Sequence, residues 1–499
     1  MIRREYAPVI ILGAGPAGLT AAYELSAQGV SSIILEQDAV VGGLARTIEH
    51  NGYRFDIGGH RFYTKLPYIE KIWKDVLGED LLVRRRLSRI YYRSKFFRYP
   101  LEPADALLGL GPVEALRCLG SFTRARFAPS LPESDFATWV SNRFGRRLFE
   151  TFFKSYTEKV WGLPCGQIGA EWGNQRIQGL SLSSLFWNAL GKGRSKGQAP
   201  KTLIREFYYP RLGPGMMWSR MRQIIEGRNS RVVLHAPVEE IRWERGGVTA
   251  VRAGGTVYTG EHFISSIPIR ELMQRLRPVP DDGLLEAGRL FRYRDFMTVA
   301  LMVRGSGLFP DNWIYIHDPA FQVGRIQNFG NWSPEMTADA KTSCLGFEYF
   351  CREGDALWTM ADEQLVALAT RELAQLSLAD ASAVIDAKVV RVPKAYPVYD
   401  GRYQRGIAAV REFLRLVPNL QLVGRNGMHR YNNQDHSMLT AILAARNVLG
   451  ASYNLWDLSA DLGYLEENSG FNAEELRELE STQPRVPAMA AAAGARLRG

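Results

Sequence analysis

Residues 9–12 are apolar without interruption, the pattern of a strand buried on both faces. Gly13-Ala-Gly15-Pro-Ala17-Gly18 follows at once, residues 19–28 read as a helix stopped by Gly29, and residues 32–35 form a second apolar run ending at Glu36. Further on, Ile90 to Tyr92 and Phe96 to Phe97 flank Arg93-Ser94-Lys95, which predicts a hairpin whose charges cover an exposed strand face. From about residue 103 to 190 glycine thins out and apolar positions take helical spacing, as at 136–140 and 148–153. Residues 191–198 (Gly-Lys-Gly-Arg-Ser-Lys-Gly-Gln) read as an exposed linker. Strands are expected at 231–234, 238–243, 248–252 and 263–266, followed by a β-rich stretch to residue 350. A late strand at 420–423 runs into Gly424, with a helix at 440–449, and the Ala-, Pro- and Arg-rich tail from 481 reads as disordered. No internal repeat is visible.

The first strand–glycine turn–helix–strand unit fits within about thirty residues, the context that gives a glycine motif meaning. Gly13 permits the tight turn, Gly15 lets the backbone approach a pyrophosphate, and Gly18 lets helix and strand pack closely. The pyrophosphate sits where unpaired N–H groups and the helix dipole favour negative charge. Glu36 would accept hydrogen bonds from ribose hydroxyls and repel a 2′-phosphate, so NADP is disfavoured. Six residues beyond Glu36 stands Gly42-Gly43-Leu44-Ala-Arg46-Thr47. A plain turn is one reading of it. Its position also resembles the second half of the fingerprint in flavoproteins of the glutathione-reductase type, which favours FAD over NAD. In Asp56-Ile-Gly58-Gly59-His60 the glycines allow close approach to a flat ring, which would put His60 near the flavin. These segments supply Gly13, Gly15, Ala17, Gly18, Glu36, Gln37, Gly43, Leu44, Gly58, Gly59 and His60 as cofactor-binding residues, and Val238, at the start of the strand 238–243, is added to them.

The expected fold class is α/β. A Rossmann-like FAD-binding domain, a doubly wound parallel sheet, takes residues 1–100 and 400–465 with a contribution from 215–270. Residues 101–200 form a helical insertion, and 201–214 with 271–399 form an antiparallel β-sheet substrate domain. Residues 480–499 are the disordered tail.

Composition changes this picture little. At 499 residues, 46 % hydrophobic and 23 % charged, the chain is an ordinary globular one with room for more than one domain. The net charge of +10 favours an anionic ligand such as a phosphate ester. The arginines are dispersed and no basic arm stands out, which argues against nucleic acid and leaves a weak peripheral contact with anionic lipid open. Cys118, Cys165, Cys344 and Cys351 form no CxxC pair, so a zinc site is not expected and a reducing compartment is. No signal peptide and no transmembrane run of about 18 apolar residues is read, and a cytoplasmic enzyme is the expectation.

One segment is more specific. Phe152-Phe-Lys-Ser-Tyr156-Thr-Glu158-Lys-Val-Trp161-Gly162 resembles the Gly-Tyr-Thr-Glu-Lys-x-Trp-Gly segment of UDP-galactopyranose mutases. In the same order, Gly58-Gly59-His60-x-Phe62, the hairpin, Arg176-Ile177, residues 208–216, Gly324-Arg325-Ile326 and Ala395-Tyr396-Pro397-Val398 resemble segments of that family. Gly424-Arg425, Tyr431 and Asn433-Gln434-Asp435-His436-Ser437 resemble its C-terminal flavin segment. The resemblance spans roughly residues 8–450.

It implies an interconversion of pyranose and furanose forms of a nucleotide-linked sugar, UDP-galactose or a related one. In that reaction N5 of reduced FAD attacks the anomeric carbon, displaces the diphosphate, and the ring recloses. It also implies an external electron donor to keep the flavin reduced. Arg176 and Arg325 match the diphosphate-contacting arginines, a role that planar, permanently charged guanidinium groups suit. His60 joins them as catalytic by its place at the flavin. Tyr156, Trp161, Tyr208, Tyr396 and Tyr431 are the substrate-binding candidates, and Gly424, Arg425, Asn433, Gln434, Asp435 and Ser437 complete the cofactor set. Residues 208–212 and His429-Arg430 depart from the family, and Trp172, Phe186 and Trp187 only loosely match its base-stacking position. These departures leave the sugar and nucleotide open. Two other readings stand beside the mutase. One is an FAD-dependent oxidoreductase of the protoporphyrinogen-oxidase, desaturase or amine-oxidase kind. The other is a non-catalytic flavin protein in a polysaccharide assembly complex, and a homo-oligomer is compatible with each.

Overall fold

The computed structural model describes residues 3–99, 101, 105, 109–170, 173, 205–456 and 458. Arg176, Trp172, Phe186, Trp187, the linker at 191–198 and the tail at 480–499 lie outside the described residues.

The apolar runs find one another. Ser32–Leu35, Val9–Leu12 and His262–Ser265 lie side by side in a five-stranded, wholly parallel sheet, with Arg231–Val233 on one edge and Leu420–Leu422 on the other. Both faces are covered, which is why Val9–Leu12 needs no polar alternation. The helix Pro16–Ala27 packs against Gln434–Val448 and Gly215–Glu226. Pro16 at its first turn costs no hydrogen bond there. Gln434–Val448 begins six residues before the helix read from the sequence, because its first turn is polar.

A second five-stranded sheet joins Arg3–Tyr6, Thr256–Thr259, Gly247–Ala253, Val238–Glu244 and Leu276–Arg277. The third sheet has seven strands, in the order Val384–Pro397, Tyr293–Arg304, Thr342–Cys351, Arg325–Asn328, Trp313–Ile316, Ser88–Tyr92 and Lys95–Arg98. It is antiparallel except where Trp313–Ile316 runs parallel to Ser88–Tyr92.

Two placements differ from the boundaries drawn on the sequence. The hairpin, allotted to the 1–100 unit, ends the seven-stranded sheet instead, because Ile90, Tyr91 and Phe97 need a buried face. Its charges are not all solvated: Arg89 donates from Nε to the fully buried Asp311 carboxylate at 2.9 Å. Glu206–Pro210 pairs with Leu81–Arg85 as a separate two-stranded ladder and stays out of the large sheet.

The insertion contains the helices Pro112–Phe127 and Phe136–Phe144 and a continuous run Arg146–Leu148, Phe149–Lys154 and Ser155–Trp161, whose middle part is π-helical. Phe136, Trp139, Phe149, Phe152 and Trp161 form its core. The run is clamped to the seven-stranded sheet. The Lys159 ammonium donates to the carbonyls of Ile316, Asp318 and Val323 at 3.0, 3.2 and 3.1 Å. Burial pulls its pKa down to about 8, against the raising charges of Glu372 and Asp318. Arg294 donates to the Val160 and Lys159 carbonyls at the helix C-terminus, which satisfies two otherwise orphaned acceptors. Gly162 follows with φ +60, and a Cβ there would stand 2.7 Å from the Arg294 guanidinium.

Candidate functional site

The first cavity lies along the C-terminal ends of the parallel strands, where ligands settle in doubly wound sheets. It is an open cleft of about 1530 Å³, mouth included, lined by Gly13, Gly15, Ala17, Glu36, Gln37, Gly43, Leu44, Val238, Gly424 and Ser437, among others. The glycines are required by the backbone. Gly13 has φ +96, and a Cβ on Gly18 would fall 1.9 Å from the Gly13 carbonyl oxygen. Gly18 thus works from behind the wall. A Cβ on Gly43 would meet the Gly15 Cα at 3.3 Å, and one on Gly424 would meet Ala17 Cβ at 2.9 Å. Glu36 is buried, its carboxylate accepting from the backbone N–H of Ala14 at 2.7 Å and of Asp38 at 3.0 Å. Burial pushes its pKa up, against those two donors.

The second cavity, of about 1090 Å³, faces the seven-stranded sheet. Leu44, Ile57, His60, Arg425, Asn433 and Gln434 line both cavities and so form a common wall. The helix Gln434–Val448 starts there, and its unpaired N–H groups favour negative charge at the wall. His60 Nδ1 and Gln434 Oε1 are buried without a hydrogen-bond partner, as polar atoms awaiting a ligand would be. Burial, with the Arg425 and Arg325 charges beside it, pulls the His60 pKa down to about 3 and holds the ring neutral.

The cavity floor is a row across three strands. Register places Tyr315 opposite Arg325, and Arg325 opposite Glu348. The Arg325 Nε and Nη2 donate to one Glu348 oxygen at 2.8 and 2.6 Å, and Gln327 donates to the other. Glu348 is fully buried. Burial alone would lower the Arg325 pKa, but the Glu348 carboxylate and the neighbouring tyrosines hold it well above its ordinary value. The guanidinium also lies against the glycine pair, 3.2 Å from where a Gly59 Cβ would be. Opposite it, Tyr396 and Tyr431 stack at 5.6 Å with rings 13° from parallel, and the Arg425 guanidinium lies 4.7 Å from the Tyr431 ring. Arg425 is fixed by the Asn432 and Ala395 carbonyls at 2.8 and 3.1 Å.

Of the residues singled out from the sequence, Gly58, Gly59, His60, Arg325, Tyr396, Arg425, Tyr431, Asn433, Gln434 and Asp435 meet at this cavity. Trp161 stands behind it, 6.4 Å from the Tyr396 ring and 6.3 Å from Tyr431. Tyr156 is also behind the wall, stacked on His317 at 4.5 Å and 5.5 Å from Tyr315. Tyr208 lines neither cavity, since its hydroxyl donates to Glu70 at 2.7 Å while its backbone pairs with Phe62. Sequence reasoning passed over Arg61, Tyr315, Gln327 and Glu348. Gln327 was findable, lying two residues from Arg325 on one strand face, and Arg61 adjoins His60. Tyr315 and Glu348 gave no local signal. Among the described residues no cluster of His, Cys, Asp or Glu could hold a metal, and no helix is long and apolar enough to cross a membrane.

The residues present fit FAD. A backbone cradle that any Cβ would fill, an acidic residue at the second strand end and a helix N-terminus at the common wall match a dinucleotide and an electron-rich ring. Residues 16–449 match the family described as flavin containing amine oxidoreductase. The fold is similar to that of reduced UDP-galactopyranose mutase, with a TM-score of 0.78 and 21 % identity over 89 % of this chain and 94 % of that one. A 66-residue stretch is 39 % identical to the inactive all-trans-retinol 13,14-reductase of Danio rerio, covering 12 % of this chain and 11 % of that protein. Another, of 68 residues, is 34 % identical to protoporphyrinogen oxidase 2, chloroplastic/mitochondrial, of Arabidopsis thaliana, covering 14 % and 13 %. The matched stretches thus span about an eighth of those two relatives or less.

Proposed function

Since this chain belongs to the flavin-containing amine oxidoreductase family and binds FAD, we propose that it is a mutase interconverting the pyranose and furanose forms of a nucleotide-linked sugar. The observation that carries this reading is the Arg325–Glu348 pair, a guanidinium locked on a buried carboxylate and presented to the cavity beyond the common wall. A locked guanidinium suits an oxyanion that must be held while it leaves and returns. The site is poor for an amine, since Arg61 and Arg425 line it beside the Glu348-paired Arg325, against the single carboxylate of Asp435 among the lining residues, a balance that favours an anion over an ammonium group.

When bound in its reduced form, FAD supplies an electron-rich nitrogen nucleophile for substitution at the anomeric carbon. The chain's residues do the rest. Arg325 orients the diphosphate, and Tyr396 and Tyr431 offer phenolic donors to the same oxygens. Burial keeps the Tyr396 pKa far above its ordinary value, so its proton stays available for hydrogen bonding. Neutral His60 can serve the polar edge of the cofactor without adding charge. Trp161 and Tyr156 hold these groups from behind and keep water out. We assign Arg176 the second guanidinium on the diphosphate, and an external donor keeps the flavin reduced.

The experiment uses the purified yellow protein, reduced with dithionite and incubated with UDP-galactopyranose and related nucleotide sugars. The expected result is the furanose, seen by chromatography. A second reading, an oxidoreductase, is favoured by the short match to the Arabidopsis protoporphyrinogen oxidase. No conversion by the reduced protein, together with oxygen consumption by the oxidised protein on an amine or porphyrinogen, would sink the mutase reading in favour of it.

A further inference from the structure

The helix Pro112–Phe127 shows its wrong side to solvent. Apart from the half-buried Phe122, its inward positions are small or polar. Cys118 is buried, the Glu114 carboxylate accepts from the Arg147 guanidinium, and Ser121 Oγ accepts the Arg147 backbone N–H at 3.0 Å. Its outward positions are large and apolar, with Val113, Leu116 and Phe127 exposed by 63, 69 and 84 % and Leu119 beside them. Spacings of three to four residues put them on one stripe. Leu131, just past the helix end, is exposed by 80 %. The same rotation puts Arg117 and Arg124 along one border of the stripe and Arg126 along the other. Arg124 and Arg126 have no ion-pair partner among the described residues.

The geometry points to a docking surface for an anionic lipid bilayer. An apolar stripe bordered by guanidinium groups is what a helix lying in a bilayer interface requires. The side chains enter the acyl boundary while the arginines meet lipid phosphates. Two other occupants fit worse. A second copy docked symmetrically would bring like guanidinium charges together. Residues 191–201 of the chain carry Lys192, Arg194, Lys196 and Lys201, of the same sign as the borders. The attachment is peripheral and independent of the reaction the enzyme performs.

The test is flotation of the full-length, flavin-loaded protein with vesicles of phosphatidylcholine alone or mixed with phosphatidylglycerol. The protein should float with the mixed vesicles, stay down with phosphatidylcholine alone, and be released by salt. The double variant Leu116→Ser/Phe127→Ser should lose about tenfold in bound fraction, with flavin spectrum and melting temperature unchanged. Arg124→Glu/Arg126→Glu should lose binding in the same way. A wild-type protein that does not float with mixed vesicles, or variants that float as well as wild type, overturns the proposal. So does a wild-type dimer that Leu116→Ser/Phe127→Ser converts to a monomer without any effect of vesicles, which would make the face a homodimer interface.

Discussion

Glu348 is the residue on which the arginine at the cavity floor depends. Its carboxylate is fully buried and answers both Arg325 and Gln327. Glu348→Gln leaves the guanidinium without its counter-charge, and breaking a buried pair this way costs roughly 3–5 kcal/mol, readable in urea unfolding. Arg325→Ala should abolish turnover of the nucleotide sugar while the flavin spectrum stays intact; loss of the flavin would show that the residue serves the cofactor instead. Asp56 makes a pH prediction. Burial raises its carboxyl from 3.8 to about 7, although the Tyr209 and Thr47 hydroxyls donate to it and lower it. The native state therefore holds a proton that the unfolded chain has released, so stability from this group is full below 3.8 and is lost as pH rises to about 7. Asp56→Asn should flatten the melting temperature over that window. His60 slopes the other way, its buried neutral ring losing stability as pH falls from 6.5 towards 3.

At the scale of elements, the opening βαβ unit works through contacts that a methyl group would break. Gly18→Ala puts a Cβ 1.9 Å from the Gly13 carbonyl oxygen, and the purified protein should come out colourless. Gly162→Ala should cost about 1–2 kcal/mol in unfolding for the left-handed backbone alone, and more if Arg294 is displaced from the helix end it caps. This unit was legible in the sequence because its whole logic fits in a short stretch of chain. The Tyr156–Gly162 segment was legible only as a resemblance; its Lys and Gly prove to clamp a helix to a sheet. The row Tyr315–Arg325–Glu348 was not legible, since strand register between distant segments has no local signature. Tyr208 misled for the same reason, its strand pairing away from the cavity with Leu81–Arg85.

In the whole molecule, the cofactor cavity is closed by parts of three sheets, the parallel one, the one that contains Val238 and the seven-stranded one. Lys394 at the end of the large sheet reaches Glu271 on the helix Ile269–Arg275 at 2.5 Å, and both residues line that cavity. The pair is partly exposed, worth about 1 kcal/mol or less. Lys394→Met should therefore speed FAD release by up to about fivefold, followed by the recovery of flavin fluorescence on dilution; an unchanged rate would mean that the cavity wall does not need this tie between sheet and helix.

The order of the parallel sheet also governs how the protein is made. Val9–Leu12 pairs with His262–Ser265, which pairs in turn with Leu420–Leu422, and Leu12 and Leu420 are 408 positions apart. At about 5–20 residues per second, a ribosome needs roughly 20–80 s between them. Val9–Leu12 meets Ser32–Leu35 early, but through that interval the sheet lacks its last strand, and His262–Ser265, once made, keeps one edge unpaired. Translation that stops short of Leu420 yields a product without Gly424, Asn433 and Gln434 on the cofactor cavity, which should not retain its chromophore. Yellow colour in a preparation thus reports that synthesis ran past Leu420 and the cavity residues that follow it.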